Sequence, residues 1–265
     1  MNLFFRELKS HRRGLFFWSI GMVALIGSGM AKFAAYQDNG FSFNKLLAQF
    51  PKSIQIIFGL NGFDLTKASG FYGVLFLYIA LMVSIHAVLL GSEIISKEER
   101  DDTAEFLFVR PISRSRIITY KLFAGLFNLI IINLVTLASS VIVVNYLNKG
   151  VSITKDILIL MVGLFLMQLI FFFIGVAVAA VHKKPKSSAS ISTSFLLFTF
   201  ILMYVINFNI KLDNLKYFTP FKYYDAKTLM ASGGLDPVFV SISIMIILVL
   251  VLLSYISYNK RDLSV

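Results

Sequence analysis

Ile157 to Val181 reads ILILMVGLFLMQLIFFFIGVAVAAV, with no charged side chain and a single strongly polar one, Gln168. A helix that crosses about 30 Å of hydrocarbon needs roughly 20 such residues. The stretch lacks the polar face that a surface helix of a water-soluble domain would show. Five more segments share its character: Leu15–Tyr36, Phe71–Ile95, Ile117–Leu147, Ala189–Asn209 and Pro237–Tyr258. None alternates in the way a transmembrane β-strand of about 10 residues does. The expectation is an all-α polytopic membrane protein, six transmembrane helices in one transmembrane domain over residues 1–265.

Composition agrees. The chain is 57% hydrophobic and 15% charged, against about 45–50% and about 25% in soluble domains. Its mean hydropathy is +0.79. The formal charge of +11 could suggest nucleic acid in a soluble protein. In a membrane chain the positive-inside rule and anionic lipid headgroups account for it, so lipids are the expected partner and nucleic acid is not. With no cysteine, disulfides, thiolate catalysis and Cys-based metal sites are excluded.

Lys and Arg set the orientation. Most of the 25 basic residues fall on the side of both termini, in short segments: Arg6 to Arg13, Lys97 to Lys121, the turn His182-Lys-Lys-Pro-Lys186, and Lys260-Arg261. That side is expected to be the cytoplasm. The first apolar run is longer than the 7–15 residues of a signal-peptide core and no cleavage pattern follows it. Residues 1–14 place Phe4 and Leu8 near one helical face with Arg6, Lys9 and Arg13 elsewhere. This suits an interfacial amphipathic helix, although an ordinary basic flank would have the same composition. On the other side, Phe43 to Phe58 repeats apolar residues at helical spacing, and Pro220-Phe-Lys-Tyr-Tyr224 carries aromatics suited to the headgroup region.

The chain holds no phosphate-cradling G-x-x-x-x-G-K-[ST], no H-E-x-x-H or other metal-ligand spacing, and no G-x-S-x-G elbow. Polar groups within the spans are few: His86, Asn128, Asn133 and Gln168. A polar group in hydrocarbon is a functional candidate by default. His86 reads either as a relay or substrate contact, or as a hydrogen bond to a neighbouring helix. The asparagines fit inter-helix hydrogen bonds. No acidic residue stands mid-span, which disfavours an ion-coupled carrier.

Between the second and third spans lies Glu98–Arg116, EERDDTAEFLFVRPISRSR, the most polar insert in the chain. Asp102 suits a helix N-cap, Glu105 the reciprocal position of a capping box, and Asp101 and Asp102 the positive end of the helix dipole. Phe106, Leu107 and Val109 project apolar groups, Arg110 closes the last turn, and Pro111 blocks continuation. Ser113 can cap the next helix. A short capped helix with apolar knobs fits a groove on a soluble partner; a solvated charged turn is the alternative.

At these residues the chain resembles the type-2 ABC exporter permeases. Gly91-x-Glu93, Glu98-Glu99, Thr103, Glu105, Leu107, Arg110-Pro111, Ser113-Arg114 and Lys121 follow that family's run of acidic pair, Gly-Thr, short helix, Pro-x-Ser-Arg and lysine. Asp102 stands where glycine is usual, and Phe106 and Phe108 where leucines are common. The resemblance implies that the segment is a coupling helix, with Glu98, Glu99, Asp102, Thr103, Glu105, Phe106, Leu107, Val109, Arg110 and Pro111 facing an ABC ATPase subunit. It implies two copies of that ATPase, which hold ATP and Mg, and a second permease subunit as homo- or heterodimer. It implies no catalysis in this chain. The function expected is outward pumping of a hydrophobic or amphipathic substrate, with peptides or antibiotics favoured. The alternatives are a non-transporting membrane receptor or scaffold that binds a cytosolic protein, and an ion-coupled carrier.

Overall fold

The computed structural model describes residues 3–38, 49–60, 62–100, 112–148, 152–182 and 185–260. The described chain is helical with no strand. In order it forms α1 (Leu3–Asp38), α2 (Lys52–Ile57), α3 (Ala68–Arg100), α4 (Arg114–Leu147), α5 (Thr154–Val181) and α6 (Pro185–Phe208). A 3-10 helix (Ile210–Phe218) follows, then α7 (Pro220–Tyr223), α8 (Ala226–Ser232) and α9 (Pro237–Lys260). Six of these, α1, α3, α4, α5, α6 and α9, are long and apolar enough to cross a membrane. Each contains or nearly matches one of the apolar runs.

Helix α5, which carries the run from Ile157 to Val181, occupies the centre. Its buried residues lie all round its axis, from Ile157 and Leu160 through Phe171, Phe172 and Val176 to Ala180. It packs against α3, α4, α6 and α9. The crossing with α3 is the closest in the bundle. A Cβ on Gly91 would stand 2.1 Å from the Phe172 carbonyl oxygen, and one on Gly175 would stand 2.3 Å from that of Val88. Two glycines facing each other let the backbones touch, the small-residue packing that membrane helices use where no hydrophobic drive separates lipid from protein. Ser92 adds hydrogen bonds from its Oγ to the Gly175 carbonyl at 3.4 Å and to Ser192 of α6 at 3.1 Å. The outer helices instead show apolar side chains to their surroundings, such as Phe16 and Phe17 of α1, Phe198 of α6 and Met245 and Leu252 of α9. Lipid is the medium that suits them.

Residues 1–14, read as an interfacial amphipathic helix or a basic flank, are helical from Leu3 onward and run on into the first span as α1. No proline interrupts residues 3–38, and one buried stripe runs through Leu3, Glu7 and His11 to Met22, Ile26, Met30 and Phe33. At 1.5 Å per residue α1 is about 54 Å long, so it outreaches the roughly 30 Å apolar layer.

Tyr223 and Tyr224, expected at headgroup level, are buried. Each phenol has an internal partner, Tyr223 Oη donating to the Tyr217 carbonyl and Tyr224 Oη meeting Ser243 Oγ of α9 at 2.7 Å. The Tyr223 ring stacks on Phe239 with centroids 4.9 Å apart. Burial pushes its hydroxyl up to about 12. Of the apolar series from Phe43 to Phe58, residues 39–48 lie outside the described residues, and Ile54 and Ile57 stand on α2.

Candidate functional site

Lys121, about two turns into α4, is wholly buried at 0% side-chain exposure. An ammonium without water needs all three protons received by oxygens. Here Nζ donates to Glu98 Oε1 of α3 at 2.5 Å and to the Ile94 carbonyl of α3 at 2.8 Å. Its third acceptor is Glu7 Oε1 of α1 at 3.5 Å. Arg6 approaches the same two carboxylates, at 3.5 Å from Glu7 and 3.8 Å from Glu98. His11 Nε2 lies 4.0 Å from Glu7 Oε2. Two carboxylates therefore face a lysine and an arginine, and three spans meet at one nitrogen.

The local sequence explains the meeting. Leu3, Glu7 and His11 recur every fourth residue and share the α1 face that turns inward. Glu98 is on the last turn of α3, one turn beyond Ile94, so its carboxylate and that carbonyl present together. The site has no nucleophile and no arrangement for proton transfer to a substrate. It is a buried ion-pair cluster that ties α1, α3 and α4 together, and its strength lies in burial. Removing one member of a buried ion pair costs about 3–5 kcal/mol because the other charge stays behind.

The joint adjoins the polar insert. Residues 101–111 lie outside the described residues, so Asp102, Thr103, Glu105, Phe106, Leu107, Val109, Arg110 and Pro111 have no described geometry. Their flanks do. Glu98 turns its carboxylate inward onto Lys121, and Glu99 is half-buried beside it. Ser113 occupies the N-cap of α4, without a side-chain cap bond. Arg114 Nη1 donates to the Asn259 carbonyl at 3.3 Å and Ser115 Oγ to Asn259 Oδ1 at 3.1 Å, while Thr119 and Tyr255 share a 2.7 Å bond. Both flanks of the insert are thereby fastened, one to α1 and the other to α9.

The intramembrane polar residues divide differently. Asn133 Nδ2 of α4 reaches α5 at Gln168 Oε1 and at the Met161 carbonyl, 3.3 Å each. Asn128 Nδ2 instead donates to the Ala124 carbonyl of its own helix at 2.8 Å. His86 meets the edge of Trp18 at 5.2 Å, and its Nδ1 has no hydrogen-bond partner among the described residues. The four do not form one site.

Sequence reasoning missed Glu7, which reads as part of a basic flank. The available signal was that it is the sole acidic residue before Asp38 and falls four residues from Leu3 on the apolar stripe.

A bundle of six helices long and apolar enough to span a bilayer, with the flanks of its polar insert tied in at one end, defines a multi-pass membrane protein. The family model described as ABC-2 family transporter protein matches residues 1–263, and the chain belongs to that family. It is a type-2 ABC permease, a membrane-spanning subunit of the kind that associates with an ABC ATPase subunit. Among curated proteins none matches the chain.

Proposed function

We propose that this chain is the membrane subunit of an ATP-driven exporter, and that the Glu7–Lys121–Glu98 joint carries an ATPase partner's motion into the spans. The partner docks on the 98–116 segment, where Glu105 and Phe106 contribute charge and an apolar knob. Two copies of this partner hold ATP and Mg, and two permease subunits enclose the pathway. Both termini lie in the cytoplasm of a bacterial plasma membrane, as the basic segments favour. The cargo is hydrophobic or amphipathic, with a peptide or antibiotic favoured.

The observation that supports this most is the position of Lys121. A docking segment that moved alone would transmit nothing, whereas here its first residue, Glu98, bonds Lys121 of α4, which in turn bonds Glu7 of α1. Purification of the tagged full chain from its native membranes tests the reading. A Walker-motif ATPase should accompany the chain, and Glu105→Arg should release it. A stable complex with a protein lacking ATPase activity would favour the receptor reading instead.

A further inference from the structure

At the end of the bundle opposite the termini, a cavity of about 180 Å³ opens between α3, α5, α6 and the α7–α8 region. Apolar side chains line its depth, and its rim carries Lys222, Lys227, Asn207 and Asp225. Phe76, Ala80, Met167 and Met203 supply the floor, each at most 2% exposed. Lys222 and Lys227 stand at the rim, and among the described residues neither makes an ion pair. The adjacent Asp225 carboxylate is engaged in capping α8, where Oδ2 accepts from the backbone N–H and the hydroxyl of Thr228.

Both ammonium groups are placed. Lys222 Nζ donates one proton to Asn207 Oδ1 at 2.9 Å, which leaves two protons for another acceptor. Lys227 lies along the backbone of Gly62, at φ 89°, where a Cβ would stand 2.2 Å from Nζ. The glycine thus provides both a left-handed turn and room for the cation. Lys216, in the neighbouring 3-10 helix, is different: it bonds Asp213 at 2.6 Å and holds that carboxyl below its usual range.

We infer that this cavity binds an anionic amphiphile, with Lys222 and Lys227 on a phosphate-type head and the Phe76–Met203 floor on its first carbons. Two lysine ammonium groups at the rim of an apolar floor suit that chemistry, since charge-assisted bonds set the head while the first carbons leave water. The molecule could be a phospholipid of the surrounding leaflet or a free amphiphile. The site lies within one subunit and requires neither the ATPase nor an assigned orientation, so its failure would leave the transport reading standing.

Native mass spectrometry of the full chain in a neutral detergent tests it, with dodecyl phosphate as the probe. One saturable equivalent is expected on the wild type. Lys222→Gln with Lys227→Gln should weaken it about tenfold or more, the scale of a lost charge-assisted hydrogen bond. Lys227→Gln alone, at an exposed position, should weaken it several-fold without risk to the fold. Lys216→Gln should leave it unchanged. If phosphatidylglycerol competes for the same equivalent, the site serves membrane lipid; if it binds without competing, the site serves a free amphiphile. Absence of a saturable equivalent, or equal weakening by Lys216→Gln and the rim variants, would overturn the proposal.

Discussion

Lys121 shows how one side chain can be both expensive and useful. Its burial is offset only because Glu98, Glu7 and the Ile94 carbonyl receive its protons. Lys121→Met would remove the cation that Glu7 and Glu98 share, and should destabilise the bundle by about 3–5 kcal/mol. Adding Glu98→Leu restores the balance of one Arg and one Glu, so the double variant should be more stable than Lys121→Met. Trp18 is the only tryptophan and packs on His86 between α1 and α3. Its fluorescence during denaturation in detergent reads both values. A double variant weaker than the single one would remove the ion-pair account. Asn133 offers a contrast. Its bonds to α5 are neutral and long, so Asn133→Leu should cost at most about 1 kcal/mol by the same assay, given the small average worth of such bonds in membranes.

At the scale of elements, the α3–α5 crossing is the most constrained feature. Gly91→Val would drive a side chain into the Phe172 backbone, which has no rotamer to yield. Loss of monodisperse protein on size-exclusion chromatography is expected, while Gly14→Ala, with open space around the Cβ position, should behave as wild type. The same scale shows what a sequence can reveal. The six spans were legible because apolar runs of about 20 residues have few alternatives to a membrane helix. The start of α1 was not, since residues 3–14 have the same amphipathic pattern whether they lie along a surface or continue a span. Nor was the joint legible in full. Glu98 and Lys121 stood out beside the insert, but Glu7 is 114 residues from Lys121, and no periodicity joins residues that far apart. The inward turn of Tyr223 and Tyr224 depended on acceptors at Tyr217 and Ser243, which local pattern cannot identify.

Across the whole molecule, the buried centre and the exposed flanks divide the labour. Helices α3 and α5 form the rigid middle, and α1, α6 and α9 show apolar side chains outward for lipid or another subunit. The joint sits at the base of this arrangement, where the insert meets α1, α3 and α4. On the proposed reading, docking and transmission are separable. Glu105→Arg acts on the contact with the ATPase, and Lys121→Met together with Glu98→Leu acts on the link behind it. The most direct test measures ATPase co-purification and cargo-dependent ATP hydrolysis for these variants in native membranes. The account predicts that Glu105→Arg loses the ATPase, and that the double variant keeps it but hydrolyses ATP without response to cargo. Normal cargo-stimulated hydrolysis in the double variant would contradict the role assigned to the joint.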